Sequence, residues 1–387
     1  MLKKLLISTL FTATIIAQNR GEYQQQLEQF NLFKSQQQIS FSDYKAAQEE
    51  AYSDYKKKLA KIWQNPRLST KKTLVTYSKN RKNRTIVDFD KESIIIESIA
   101  SSKKQAEENL KTSLAKMVTI DTKKLQESDP LAVKLSKIPK PKNLLTSHVD
   151  AKPILAPLIF AEKPTQKSVF NYVNDSFKKN KIVVKKSPKI EDKKIYSIHV
   201  KLPKNSTIKM SQIYYSDVKK HSLRQNIPLP LVFAIMHTES CFNPRARSNI
   251  PAFGLMQIVP KSAGRDSYRF LYHQDKLVSG AYLYNSTNNI TLGTAYLHLL
   301  YYRYLKNIKN PQSRLYCTIA AYNTGAGNVA WAFTKNHNIT QASKLINKLS
   351  AKEVYAKLLK NLKYEEPKKY LQNVSKRMKI YTTIYTL

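Results

Sequence analysis

Residues 229–240 read Leu-Pro-Leu-Val-Phe-Ala-Ile-Met-His-Thr-Glu-Ser, and a few positions on, residues 254–258 read Gly-Leu-Met-Gln-Ile. The first stretch is apolar from Leu229 to Met236, with Pro230 where a first helical turn accepts it. This predicts a helix buried in a core. Glu239 closes that helix. A carboxyl held there is cut off from water, which disfavours its ionised form and raises its pKa. It can then stay protonated near neutral pH and serve as a general acid. The plainer alternative is that Glu239 marks only the point where a buried helix reaches solvent.

Working outward, Ser211 to Leu387 is helical nearly throughout and shows no convincing strand, with turn signals at Ile227-Pro228, Ile250-Pro251 and Asn310-Pro311. From Glu239 onward the acidic residues are few: Glu239, Asp266, Asp275, Glu353, Glu365 and Glu366. The last three stand among lysines, as on exposed helix faces. Sugar chemistry normally draws on two carboxyl groups, so the scarcity leaves Glu239 as the candidate. Tyr296, Tyr301, Tyr302 and Tyr304 fall on one long predicted helix, where they read as core and amphipathic surface before they read as sugar platforms.

Ahead of a boundary near 204/205 the pattern differs. An amphipathic helix is expected over Phe41–Trp63, then strands at Thr73–Tyr77, Thr85–Phe89 and Ser93–Ile99, the last two joined by an Asp90-Lys91-Glu92 turn. Lys103–Met117 returns to helical spacing, and the Pro-rich stretch from Asp129 to Lys167 reads as an irregular connection. Strands resume at Lys181–Lys185 and Lys194–Leu202. The expected fold class is therefore an α+β domain over 41–204 followed by an all-α domain over 205–387.

The first residues, Met1-Leu2-Lys3-Lys4 with an apolar run from Leu5 to Ala17, have the form of a secretory signal (1–17) cleaved after Ala17. A Gln-rich segment (18–40) follows. An uncleaved anchor or a buried N-terminal helix are the alternatives, and no cysteine stands at the cleavage site for lipid attachment. The expected location is the periplasm.

The chain has 387 residues, 66 Lys plus Arg against 27 Asp plus Glu, and a net charge of +39. That charge favours anionic partners such as nucleic acid, a membrane surface or a wall polymer, and export makes nucleic acid the least favoured of them. With seven glycines and two cysteines, Cys241 and Cys317, collagen-like and disulfide-scaffold classes are excluded. The cysteines read as buried thiols, with a disulfide left open. The seven histidines lack ligand spacing, so no metal or cofactor is expected.

Four strings in order carry a resemblance: Glu239-Ser240 with Phe242-Asn243-Pro244, Ala246 and Ser248; Gly254-Leu-Met-Gln-Ile258 with Pro260-Lys-Ser-Ala263; Asn289-Ile290 with Gly293-Thr-Ala-Tyr-Leu297; and Ala321-Tyr322-Asn323 with Gly325-Ala-Gly327. Together they resemble the lysozyme-like catalytic domain of the lytic transglycosylases, the enzymes that cut bacterial peptidoglycan. The likeness covers roughly residue 211 to the C-terminus. Thr85–Ile99, Ala263-Gly-Arg-Asp266 and Tyr370-Leu-Gln-Asn-Val374 look like a membrane-bound branch of that family, in which an α+β domain comes first; that branch is lipid-anchored, and this feature does not carry over.

The resemblance implies that Glu239 is the sole acid/base and that the product is a 1,6-anhydro-MurNAc end. It implies that Ser240 orients the Glu239 region and that Ser248, Met256, Gln257, Tyr322, Asn323 and Tyr370 line the sugar site, with Gly325 and Gly327 letting the backbone turn near the cleft. The implied partner is the peptidoglycan glycan strand, with peripheral association to an anionic membrane or wall surface; oligomeric state is open. A hydrolysing muramidase, a wall-opening enzyme of a secretion system and a catalytically idle peptidoglycan-binding module are the alternatives.

Overall fold

In the computed structural model, residues 40–385 are described. The expected signal segment and all but the last residue of the Gln-rich segment lie outside them. Seven strands occur among the described residues: β1 (Thr73–Tyr77), β2 (Asn83–Asp88), β3 (Ser93–Ala100), β4 (Leu144–Leu145), β5 (Val183–Lys186), β6 (Lys194–Lys201) and β7 (Leu277–Val278). Five form an antiparallel sheet in the order β1-β2-β3-β6-β5.

Register sorts the sheet into two faces, because successive strand side chains point to opposite sides. Val75 lies opposite Ile86 and Ile86 opposite Ile95. That face packs on Tyr55, Leu59 and Trp63 at the end of the Phe41–Ala60 helix and beyond it. Val87 lies opposite Ile94, Ile94 opposite Val200 and Ile96 opposite Ile198. This second face covers Ala106, Leu110 and Leu114 of the Lys103–Thr119 helix. The β2–β3 turn is held by Asp88, whose Oδ1 accepts from the amides of Asp90 and Lys91 at 3.2 and 2.9 Å.

The stretch expected to be irregular contains helices. Thr122–Ser128 is capped by Asp121, and Pro130–Ser136 is capped by Asp129 with Pro130 in its first turn. Ala156–Ile159 likewise carries Pro157 early, and Gln166–Lys179 begins inside the same stretch. Proline breaks a helix interior but is accommodated at a start, where its missing N–H has no partner to lose.

The helical part also departs from expectation. A helix already spans Ser206–Ile213, and β7 pairs in parallel with β4, joining the two parts of the chain. Two residues are too few to show a strand period. The expected long tyrosine helix is α-helical over Ser286–His298 and becomes π-helical over Leu299–Tyr304, so Tyr296 and the later tyrosines do not keep one spacing.

The apolar core is continuous across the expected boundary. It runs from Ile94, Leu110 and Val200 through Leu202, Met210 and Tyr214 to Phe233, Phe242 and Tyr381. The Leu229–Ser240 and Glu365–Tyr385 helices share an aromatic seam there, with Phe233 4.6 Å from Tyr385 and 5.5 Å from Tyr381 between ring centroids. Cys241 and Cys317 are free and buried. No helix among the described residues is long and apolar enough to cross a membrane.

Candidate active site

The Leu229–Ser240 helix is buried from Pro230 to Met236 and ends when Cys241 turns left-handed, at φ 48°. Glu239 therefore sits in its last turn, 6% exposed. Burial pushes its carboxyl up to about 7; Lys71 and Tyr370 act against that rise, and the like charge of Glu366 adds to it. The Lys71 Nζ lies 4.0 Å from Glu239 Oε2 and 3.8 Å from Glu366 Oε1.

Beside Glu239 lies the Gly254–Gln257 loop, fixed from three helices. Ser240 Oγ donates to Leu255 O at 2.8 Å and accepts from the Phe242 amide at 3.1 Å. Asn289 Oδ1 accepts from the Met256 amide at 2.8 Å, and its Nδ2 donates to Phe253 O and Leu283 O at 2.8 and 2.9 Å. Tyr322 Oη donates to Met256 O at 2.9 Å. Gly254 is at φ +73°, and a Cβ there would stand 2.4 Å from Asn289 Nδ2, so glycine is required by both backbone and neighbour.

These bonds locate several of the expected residues. Ser240 and Met256 are fully buried, so both stand behind the Glu239 carboxyl in the core. Ser240 ties the end of the Glu239 helix to the loop, and Met256 packs against Gly293, where a Cβ would fall 2.2 Å from its sulfur. Gln257, at φ 48°, donates from Nε2 to Gly254 O at 3.0 Å, while its Oε1 is buried without a partner among the described residues.

Tyr322 and Tyr370 converge on Glu239: each phenol is raised well above its ordinary value, by burial first and then by the Glu239 charge. The Tyr370 hydroxyl lacks a complete hydrogen bond but stands close enough to the carboxyl to lower its pKa. Asn323 follows Tyr322 and is half-buried. Ser248 is half-buried and turned into its own loop, accepting from the Ala252 amide at 3.1 Å and donating to Ile250 O. Gly325 has φ +85°, whereas Gly327 lies inside the Ala326–Thr334 helix and needs no special conformation.

Sequence reasoning missed Lys71 and Glu366. Glu366 is exposed, as its lysine-rich surroundings suggest, yet it meets Lys71 rather than solvent alone. Asn289 appears in a motif string but not as the loop's anchor. An Asn beside the apolar positions Ile290 and Leu292 is the signal that could have found it, since a buried amide must find backbone partners.

Within the helical part, with this site at the end of a buried helix, residues 216–345 match the family model described as the transglycosylase SLT domain. A stretch of 187 residues is 41% identical to the membrane-bound lytic murein transglycosylase C of Klebsiella pneumoniae, covering 48% of this chain and 51% of that one. The protein of the same name from Cronobacter sakazakii is 41% identical over 189 residues, with 48% and 51% covered. The chain thus spans about half the length of the curated relatives it matches. Among solved structures, the 70 kDa soluble lytic transglycosylase SLT70 from Escherichia coli aligns with a TM-score of 0.35 and 23% identity, over 44% of this chain and 24% of that one.

Proposed function

We propose that the protein is a murein lytic transglycosylase that cuts the β-1,4 bond between MurNAc and GlcNAc in peptidoglycan without water, leaving a 1,6-anhydro-MurNAc end. The observation that carries this is the desolvated carboxyl of Glu239, raised to about 7 at the end of its buried helix and faced by two tyrosines. A retaining glycosidase needs a second carboxylate as nucleophile. Glu366 is poorly suited to that role, being largely exposed and paired with Lys71.

Protonated Glu239 donates to the glycosidic oxygen, and the C1–O bond breaks. The positive charge developing at C1 is stabilised by the substrate's own 2-acetamido group. Glu239, now a carboxylate, takes the proton of the MurNAc C6 hydroxyl as that oxygen bonds to C1, and so returns to its starting state. A carboxyl poised near 7 serves both steps, because acid–base catalysis is most effective when the pKa lies near the working pH. The fixed Gly254–Gln257 loop and half-buried Asn323 supply the cleft's polar wall. The net charge of +39 suits retention on an anionic wall polymer in the cell envelope.

Digestion of purified murein followed by mass spectrometry tests this. The native protein is expected to release anhydro-muropeptides, and Glu239→Gln to lower release by about a hundredfold or more. Reducing ends instead of anhydro ends would identify a hydrolysing muramidase; undiminished release by Glu239→Gln would remove Glu239 from the chemistry.

A further inference from the structure

We propose that Lys71 is a positioning residue for Glu239: the α+β part of the chain carries its ammonium group to the carboxyl, tethered by Glu366, where it offsets the negative charge that forms as Glu239 gives up its proton. This rests on the function proposed above and gives the N-terminal sheet a part in the site.

The loop that carries Lys71 is latched to the residues that follow Glu239. Asn243, fully buried, places Nδ2 3.2 Å from Thr70 O, 3.2 Å from Lys71 O and 3.3 Å from Thr73 O. Next to Lys71, Lys72 Nζ donates to Asp90 Oδ1 at 2.9 Å, and Asp90 also accepts from Cys241 Sγ at 3.3 Å. Positions 241 and 243 thus hold the 70–73 segment on both sides of Lys71. With its backbone fixed and its ammonium between two carboxyl groups, Lys71 loses little further freedom when charge appears on Glu239.

The groups around the carboxyl come from three elements. Lys71 approaches from the loop before β1, Tyr370 and Glu366 from the C-terminal helix and Tyr322 from the Pro311–Thr324 helix, while on Glu239's own helix the nearest titratable group in sequence is His237, two residues back. His237 is pushed down to about 3, chiefly by burial, and its ring shares a 3.0 Å hydrogen bond with Tyr381, so it stays neutral. Arg377 and Lys72 stand farther out and are engaged by Thr238 and Asp90. Lys71 is therefore the cation that directly opposes the Glu239 charge, while Glu366 both holds Lys71 and repels Glu239.

The opposed signs give a test that simple support of the loop would not reproduce. On soluble glycan strands, kcat/KM is measured against pH for the full chain and for Lys71→Met, Lys71→Arg and Glu366→Gln. The alkaline limb marks loss of the protonated acid. In Lys71→Met it is expected to rise by about one pH unit, with a lower plateau rate, because the opposing cation is gone. Lys71→Arg is expected to restore the native limb. Glu366→Gln is expected to move the limb the other way, toward lower pH.

A parallel titration of 13C-carboxyl-labelled Glu by NMR, with Glu239 assigned from its absence in Glu239→Gln, reads the same shifts without turnover. If the native protein yields anhydro ends but neither Lys71→Met nor Glu366→Gln moves the limb or the Glu239 resonance, the role of Lys71 is overturned and the proposed reaction stands. If the native protein releases no muropeptide, the reaction falls, and the resonance alone decides the Lys71 coupling.

Discussion

The sheet and the Glu239 region are both well buried, but they spend their buried groups differently. Behind β3 the core is aliphatic: Ile94, Ile96, Leu110 and Leu114 meet one another with polar groups left to the ladder. Around Glu239 polar side chains enter the core, and Ser240, Asn243, Asn289 and Tyr322 each bond to backbone outside their own helix turn. Aliphatic contacts are non-directional and tolerate exchange at similar volume, whereas a buried hydrogen bond sets one position and is costly when half of it is removed. The sheet region supplies stability and one loop; the helical region supplies geometry.

That contrast can be broken first at Asn289. Asn289→Ala leaves the Met256 amide and the Leu283 carbonyl without this partner, while Phe253 O keeps the Ile258 amide, and at 1–3 kcal/mol for each unsatisfied buried group a loss of about 4 kcal/mol is expected. Urea denaturation measures it, and a loss below about 1 kcal/mol would show that the loop does not depend on this anchor.

Glu239 tests the other side of the same idea, that the site is held at a cost to the fold. Its native pKa of about 7 exceeds the ordinary 4.5, so the native state holds the proton more tightly than the unfolded chain. Below pH 4 both forms are protonated and the two states differ little. As pH rises through this interval the unfolded chain ionises first and stability falls, reaching a deficit of about 3 kcal/mol above pH 7. Glu239→Gln, which cannot ionise, is expected to unfold later than the native protein at pH 8 by about that amount and to show little gain at pH 4. An equal gain at both pH values would separate it from ionisation.

The smallest effect is expected in the sheet. Ile96→Val removes one methyl group from a fully buried position and should cost about 1 kcal/mol. Activity per folded molecule should be unchanged, as read from turnover normalised to the folded fraction; a loss of turnover would mean that the sheet shapes the site beyond its 70–73 loop.

Much of this was legible in the chain. The apolar run before Glu239, the strands expected at Ser93–Ile99 and Lys194–Leu202, and the turn at 90–92 each depend on near neighbours, and the structure places those elements within a residue or two of expectation. The raised carboxyl was legible for the same reason, since a helix that is apolar throughout must be buried. What failed was local chemistry read with the wrong sign at Pro130 and Pro157, where proline opens a helix, and a long helix that changes to π-helical at Leu299.

The sequence by itself determined the two kinds of architecture, the helix that carries Glu239 and the shortage of rival carboxyls, because periodicity, composition and counting are properties of a chain. Only the tertiary structure decided what faces Glu239. Lys71 precedes it by 168 residues and Glu366 follows it by 127, and neither differs in local sequence from the other surface lysines and glutamates. Their role comes from Asn243 holding the 70–73 loop and from the packing of the C-terminal helix on the Glu239 helix. Coulomb energy depends on distance in space and on exclusion of water, and neither is written in the distance along a chain.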